Sequence, residues 1–429
     1  MNKENKLEEL ETKVYKLLDE IYEIKHKNLD FVPGVSSIPV NGRVFDNNEI
    51  KELVSASIDF WLTDGDYSEK FSEKMSNFLS MKHVRLVNSG SSANLVALSS
   101  LTNKKIKNYI KEGDEVITSA VGFPTTVNPI FQNSLIPVFV DSVIGTYNPT
   151  AEMIIDAYTE NTKVIFLAHT LGNPFDASKL RDFAEDKNIW LIEDNCDALG
   201  STLNNEKTGS FGHISTLSFY PAHHITMGEG GAVITNSNSL KLSIDSFRDW
   251  GRDCWCKSGH DNTCNKRFDW QLGELPAGYD HKFIYSNIGY NLKATDLQAA
   301  IGFIQMDKLE NFIKARKENW LKINNFITSK NEFFEPHKAT EDSDPSWFGY
   351  AITVKENKFF DRNKLVNFLN ENRVSTRLMF GGNLIKQPAY EGKNFKIHGD
   401  LNNANIVMNS TFWIGVYPGI TNEMIEYIF

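Results

Sequence analysis

Short apolar runs that alternate with longer helical segments limit most strongly how this chain can fold. The runs, each preceded or followed by turn residues, begin at His83, Asp114, Leu135, Lys163, Trp190, Ser215 and Gly231. Their length suits strands, and the segments between them are long enough for helices. Strands that alternate with helices predict a mainly parallel sheet covered on both faces. We therefore predict an α/β fold with this sheet in a large domain.

Three segments of different character divide the 429 residues. Residues 7–24 place apolar side chains three or four positions apart, so we assign 1–45 to an N-terminal helix and an arm expected to pack with a smaller domain. Residues 46–305 form the predicted large domain, which includes an irregular loop at 251–287. Thr295 and Gln298 have the spacing of a capping box and open a helix that leads into a smaller α+β domain at 306–429.

The charge balance excludes several kinds of partner. Lys and Arg total 45 against 55 Asp and Glu, and a net charge of -10 disfavours binding to nucleic acid. The charged N-terminus lacks the apolar stretch of a signal peptide, and no apolar run reaches the ~20 residues of a membrane span. We expect a cytoplasmic protein without membrane contact.

Two polar segments stand where the predicted strands end. Residues 88–94, with the sequence NSGSSAN, follow a strand and open a helix, so free backbone N–H groups and small hydroxyls would gather there. This pattern suits a phosphate site, or a simple turn capped by serine. Asp194 ends the run WLIED, where α/β sheets hold their ligands. Its carboxylate would keep a cofactor ring nitrogen protonated, or would only cap the next turn.

The segment 218–231, SFYPAHHITMGEGG, is the most specific motif. It resembles the sugar aminotransferase and dehydratase branch of the fold-type I pyridoxal-phosphate enzymes. In the aminotransferases a lysine five residues after the serine holds the cofactor as a Schiff base, whereas His223 stands at that position here. The resemblance therefore implies a noncovalently held cofactor, pyridoxamine 5'-phosphate or pyridoxal phosphate, with His223 as the catalytic base. The alternative is a decayed site in which His223 only packs.

The same resemblance extends over nearly the whole chain and assigns roles to further residues. It implies that 46–305 is the cofactor-binding domain and that the ring and phosphate contacts are Ser91, Ser92, Phe123, Asp194, Asp197, Ser218 and Asn291. The asparagine in relatives reaches the phosphate of the neighbouring subunit, which implies a homodimer with shared active sites. The segment TRLMFGGN resembles the corresponding segment of the sugar 3-dehydratases. Its Arg377 is expected to bind a substrate phosphate or to form a surface ion pair.

The four cysteines have the spacing Cys-x57-Cys-x-Cys-x7-Cys, at Cys196, Cys254, Cys256 and Cys264. In a reducing compartment this grouping favours metal ligation over disulfides. From the residues alone, an iron–sulfur cluster, a structural zinc or four unrelated thiols are all open. The spacing resembles that of the 3-dehydratases that carry a 2Fe-2S cluster and act on CDP-sugars.

The resemblance implies a function in which a nucleotide-linked 4-keto-6-deoxyhexose loses its C3 hydroxyl. The cluster would relay electrons from an NADH-dependent flavin/iron–sulfur reductase, and the product would enter the 3,6-dideoxysugars of lipopolysaccharide. The nucleotide, CDP or another, is left open. Two alternatives also stay open: a cluster-independent 3-dehydratase of the GDP-4-keto-6-deoxymannose type, and a non-enzymatic iron–sulfur redox sensor.

Overall fold

The predicted apolar runs form the central sheet in the computed structural model, which describes residues 3–27, 30–256 and 262–429. The strands are β1 (His83–Val87), β2 (Glu115–Ser119), β3 (Ile136–Val140), β4 (Thr162–Ala168), β5 (Trp190–Asp194), β6 (Thr202–Leu203), β7 (Glu206–Lys207), β8 (Ile214–Ser218), β9 (Gly231–Thr235), β10 (Phe334–Pro336), β11 (Ser343–Asp344), β12 (Gly349–Val354), β13 (Arg377–Leu378), β14 (Lys396–Ile397) and β15 (Thr411–Gly415).

The central sheet has eight strands in the order β1-β9-β8-β5-β4-β2-β3-β14. Pairing is parallel from β8 to β14, and β9 runs antiparallel to both of its neighbours. Strands such as β2, β8 and β9 are buried along their whole length, as expected for a sheet covered on both faces. The predicted α/β fold with a mainly parallel sheet is confirmed.

Helices cover this sheet and continue into the C-terminal region. Their bounds are α1 (Lys3–His26), α2 (Asn47–Asp59), α3 (Asp66–Leu79), α4 (Gly90–Ser100), α5 (Pro124–Gln132), α6 (Ala151–Asp156), α7 (Ala177–Lys187), α8 (Asn238–Arg248), α9 (Asp296–Gln305), α10 (Leu309–Ser329), α11 (Arg362–Glu371), α12 (Asn402–Ser410) and α13 (Asn422–Ile428). Within the described ranges, none of these helices is both long and apolar enough to cross a bilayer.

The C-terminal region contains a second, antiparallel sheet with the order β10-β12-β15-β13. Two short strands of the C-terminal region pair with strands of the larger unit. Strand β14 pairs with β3 at the edge of the central sheet, and β11 pairs with β6. Strands β11 and β14, which both follow the 305/306 boundary that we propose, therefore pair with strands of the larger unit.

The helix predicted to start at Thr295 is two helices. Thr295 and Gln298 form the predicted capping box of α9, but a 3-10 turn at Met306–Lys308 separates α9 from α10. Helix α10 begins in the core beneath the central sheet, which contains Phe312, and ends in the C-terminal core, which contains Ile327. Residues on both sides of the break pack against the first of these cores, and α10 links the two.

The N-terminal helix and the arm that follows it contact different parts of the chain. Helix α1 lies against α2, where Lys51 pairs with Asp19 at 2.6 Å. The arm instead reaches the C-terminal region, because Ile38 forms a β-bridge with Val374 and is buried in the C-terminal core. The arm, rather than the helix, therefore makes the expected contact with the smaller unit.

Candidate active site

The N-terminus of α4 and the end of β8 meet in a narrow cradle. Ser89 caps the helix and accepts a hydrogen bond from the Ser92 backbone N–H at 3.0 Å. A Cβ added at Gly90 would lie 2.5 Å from Cβ of Ser218, so only glycine lets the two segments come this close. Ser91, in the first turn of α4, is exposed. The cradle thus places Ser218 beside the N-terminus of α4, whose first turn contains Ser91 and Ser92, and this arrangement suits a phosphate.

Asp194 ends β5 at the carboxyl edge of the sheet, and its carboxylate is held from two sides. Oδ2 accepts hydrogen bonds from Asn94 Nδ2 at 2.8 Å and from Thr126 Oγ1 at 2.7 Å. Oδ1 accepts a hydrogen bond from the Cys196 backbone N–H at 3.2 Å. The side chain is 6% exposed. A carboxylate held in one orientation at this edge can face a ring nitrogen.

His223 lies between β8 and β9, and its ring faces Asp197. Nδ1 is 3.5 Å from Asp197 Oδ1, and this buried nitrogen has no hydrogen-bond partner of proper geometry among the described residues. Burial, together with the charge of Arg316, lowers the pKa of His223 to about 3. Burial and the charge of Asp194 raise the pKa of Asp197 to about 8. Burial therefore favours the uncharged form of both the imidazole and the neighbouring carboxyl group.

The adjacent histidine has a different environment. His224 is 2% exposed, and its Nε2 lies 2.6 Å from the Ser346 carbonyl oxygen. The buried Arg316 of α10 donates to the carbonyl oxygen of His223 at 3.2 Å and to that of Trp347. These contacts anchor the backbone of the segment and leave His223 as the histidine available for chemistry.

Three further predicted residues have no hydrogen-bond, ion-pair or ring contact with Asp194 or His223 in the part of the chain that the structure describes. Phe123 precedes α5, is 53% exposed and packs edge-on against Phe380, with centroids 6.0 Å apart. Arg377 begins β13, is exposed and donates to the Thr376 carbonyl oxygen. Asn291 is exposed and accepts a hydrogen bond from Lys293 Nζ at 2.8 Å. Their ligand roles stay predictions.

The cysteines divide into a group of three and one apart. Cys254, Cys256 and Cys264 surround the ring of His281, with Sγ to Nε2 distances of 3.3, 4.0 and 3.5 Å. Cys196 does not belong to this group in the part of the chain that the structure describes. It lies beside Asp194, where burial, together with the carboxylates of Asp194 and Asp197, holds the pKa of its thiol well above the usual value.

The loop that carries the three cysteines is only partly described. Of the predicted segment 251–287, residues 257–261 lie outside the described residues. A β-bridge between Arg252 and Tyr285 closes its base. Hydrogen bonds from Thr263, the Cys264 backbone and His281 outweigh burial and lower the pKa of Cys256 to about 6. A low pKa suits a thiolate that binds metal.

Both implied groups fit the residues present. The glycine-dependent cradle, the fixed carboxylate of Asp194 and the unpartnered Nδ1 of His223 suit a phosphorylated pyridine cofactor. Sγ of Cys254, Sγ of Cys256 and a ring nitrogen of His281 lie within 4.8 Å of one another, and Sγ of Cys264 lies 3.5 Å from Nε2 of the same imidazole. This donor set suits iron or zinc. The sequence motifs identify candidate cofactor residues, whose ligand roles stay predictions, but not Asn94, Thr126, Arg316 or His281. Asn94 stands within the predicted NSGSSAN motif, whereas the other three carry no local signal.

Comparison with known proteins supports this arrangement. The profile of the DegT/DnrJ/EryC1/StrS aminotransferase family matches residues 44–429. The chain is 54% identical over 399 residues to the lipopolysaccharide biosynthesis protein RfbH of Salmonella typhimurium, covering 93% of this chain and 91% of that protein. It is 50% identical over 408 residues to dTDP-4-dehydro-2,6-dideoxy-D-glucose 3-dehydratase of Saccharopolyspora spinosa, covering 95% and 88%.

A solved structure has the same architecture. The GDP-4-keto-6-deoxy-D-mannose 3-dehydratase of E. coli with bound hydrated PLP superposes with a TM-score of 0.82 at 27% identity, over 91% of this chain and 98% of that one. The likeness confirms the expected fold of a large sheet domain with a smaller α+β part. The family prediction is confirmed as well, and the chain belongs to the DegT/DnrJ/EryC1/StrS aminotransferase family.

Proposed function

We propose that this protein is a pyridoxamine-phosphate-dependent 3-dehydratase of a nucleotide-linked 4-keto-6-deoxyhexose. The observation that carries the proposal is His223 at the position of the Schiff-base lysine, with its Nδ1 3.5 Å from Asp197 Oδ1 and Asp194 close enough to shift the pKa of Asp197. Two relatives whose names include 3-dehydratase, and which align over most of the chain, support the same reaction. A cytoplasmic location stays a prediction from the sequence.

His223 acts as the base in this proposal. Its neutral imidazole has Nδ1 beside the Asp197 carboxyl group, which leaves Nε2 to accept a proton. Arg316 holds the His223 backbone, and the imidazole packs against Phe348 with ring centroids 5.1 Å apart. A positioned base accelerates proton transfer by ~10²- to 10⁴-fold.

The cofactor is held by the residues that form the cradle. Pyridoxamine phosphate supplies an amine for the substrate ketone and an electron sink that allows the C3 hydroxyl to leave. Ser91, Ser92 and Ser218 bind the phosphate, and Asp194 keeps the ring nitrogen protonated. Phe123 covers the ring face, and Arg377 binds the substrate phosphates.

Reduction of the dehydrated sugar to a 3-deoxysugar requires two electrons, which we assign to a 2Fe-2S cluster and an NADH-dependent flavin/iron–sulfur reductase. Cys254, Cys256 and Cys264 converge as ligands would, and Cys196 is the proposed fourth. In the homodimer that we propose, Asn291 contacts the cofactor phosphate in the active site of the neighbouring subunit. The spacing of the cysteines supports the proposed electron transfer. This step follows the dehydration and can be tested separately from it.

The dehydration is tested by oxygen exchange, because reversible loss of the C3 hydroxyl brings solvent oxygen into the substrate. Protein loaded with pyridoxamine phosphate is incubated in ¹⁸O-water with CDP-, dTDP- or GDP-linked 4-keto-6-deoxyhexose, without a reductase. We expect ¹⁸O at C3 by mass spectrometry with at least one of them. The His223→Asn variant should lose this exchange by ~10²-fold or more and still bind the cofactor. Exchange at the wild-type rate in that variant would disprove His223 as the base.

The cluster-independent alternative has its own support. The solved 3-dehydratase with a TM-score of 0.82 acts, by its name, on a GDP-sugar. In that case glutamate would regenerate the amine cofactor and no reductase would be needed. The two mechanisms are distinguished by supplying either glutamate alone or NADH with the reductase. The cluster-independent enzyme should form 3-deoxysugar and 2-oxoglutarate with glutamate, whereas the cluster-dependent enzyme should form 3-deoxysugar only with NADH and the reductase.

A further inference from the structure

A histidine that no sequence motif identified lies at the centre of the three-cysteine group. His281 is 1% exposed, and its Nε2 lies 3.3 Å from Sγ of Cys254 and 3.5 Å from Sγ of Cys264. Sγ of Cys256 lies 4.0 Å away. These distances fall within the range of hydrogen bonds to sulfur. A buried ring nitrogen needs a polar partner, and the thiols provide it.

The ring is held firmly from both sides. The His281 backbone N–H donates to the Arg267 carbonyl oxygen, and Arg267 also pairs with Asp280 at 2.7 Å. Trp270 packs edge-on against the imidazole, with centroids 4.8 Å apart. The fold of the segment 267–281 therefore fixes the His281 backbone, and Trp270 packs against the ring that lies beside the sulfurs.

Metal binding would determine the direction of the hydrogen bond. Cysteines bind iron as thiolates, which accept hydrogen bonds but cannot donate them. Nε2 lies within 4.0 Å of all three sulfurs, whereas Nδ1 approaches only Cys264, at 3.8 Å, so the tautomer with the hydrogen on Nε2 serves the thiolates best. An N–H group that points at a thiolate stabilises negative charge there. Reduction adds an electron to the cluster, so the reduced state gains more than the oxidised state.

We propose that His281 is a positioning residue of the iron–sulfur site, where its Nε2–H donates a hydrogen bond to the cysteine thiolates and raises the reduction potential of the cluster. The inference rests on the proposed function, because it needs a cluster at Cys254, Cys256 and Cys264. The hydrogen bond from His281 makes the cluster easier for the partner reductase to reduce.

The test compares matched variants of the full-length, anaerobically reconstituted protein. His281→Phe keeps a buried ring without the donor, His281→Gln keeps an N–H donor, and His398→Gln removes an exposed histidine paired with Asp156 outside the cysteine group. The midpoint potential is measured by redox titration followed by electron paramagnetic resonance. At the wild-type midpoint we expect His281→Phe to lower the reduced-to-oxidised ratio about tenfold, which is 59 mV for a one-electron couple. His281→Gln should fall between this variant and wild type, and His398→Gln should match wild type.

A second measurement needs no variant. Pulsed electron paramagnetic resonance of wild-type protein labelled with ¹⁵N-histidine should show a weak nitrogen coupling, as expected for a nitrogen one hydrogen bond away from sulfur. A strong coupling from a direct iron–nitrogen bond would overturn the proposal, and so would equal potentials in wild type and His281→Phe. Reconstituted wild type without any cluster signal would overturn the proposed electron relay itself, together with this inference.

Discussion

The carboxylate of Asp194 depends on a hydroxyl that can be removed without changing the shape of the side chain. Thr126 is 3% exposed and donates to Asp194 Oδ2 at 2.7 Å, and Thr126→Val deletes only this donor. A hydrogen bond to a charged group contributes ~1.5–3 kcal/mol, and leaving a buried acceptor unpaired adds to the loss. Because Asn94 still donates to the same oxygen, we expect the lower end, a decrease of ~1.5–2 kcal/mol in the free energy of unfolding.

The assay is urea unfolding of the cofactor-free protein, followed by tryptophan fluorescence. Thr126→Ser is the matched control because it keeps the hydroxyl and removes only the methyl group, at a cost of ~1 kcal/mol or less. The expected order of unfolding midpoints is wild type, Thr126→Ser and then Thr126→Val. Equal midpoints for the valine and serine variants would show that the hydroxyl does not hold Asp194, and would refute the reasoning.

Two further substitutions test the cradle and the ring contact. Gly90→Ala should destabilise the protein by ~1–3 kcal/mol through overpacking, since the new Cβ would lie 2.5 Å from Ser218 Cβ. Gly122→Ala is the control: its Cβ meets nothing within 4 Å, so the urea midpoint should stay unchanged. Phe123→Ala should weaken pyridoxamine phosphate binding by ~0.5–1.5 kcal/mol in a fluorescence titration, with little effect on unfolding because the ring is 53% exposed. Unchanged cofactor affinity would remove Phe123 from the site.

The strands could be predicted from the sequence because their signals are local. Apolar runs such as WLIED and GAVITN match β5 and β9 closely, and the Thr295–Gln298 capping box marks the start of α9. The break after Gln305 was not predictable, because the apolar stripe continues through it. Apolar residues on both sides of the break pack against the same core, so their spacing does not mark it.

The candidate site could be predicted where a motif carries it and not where distant segments meet. Asp194 and His223 belong to recognisable motifs, but Thr126 and Arg316 contact them from helices α5 and α10. His281 follows Cys264 by 17 residues, and nothing in that spacing indicates that its ring lies among the thiols. Such residues are selected by the packing of the folded chain, which periodicity and spacing do not report.

The pairing of β14 with β3 limits how the two parts of this molecule can move. Asp141, just after β3, accepts hydrogen bonds from the backbone N–H groups of Asn403 and Ala404 at 2.8 and 2.7 Å, so the segment after β14 is tied to the same sheet edge. Gly381 N–H also donates to the Gly122 carbonyl oxygen beside Phe123. A hinge-like opening of the C-terminal part would break all these bonds at once. A nucleotide-sugar should therefore enter through the rearrangement of loops, while the two sheets stay fixed to each other.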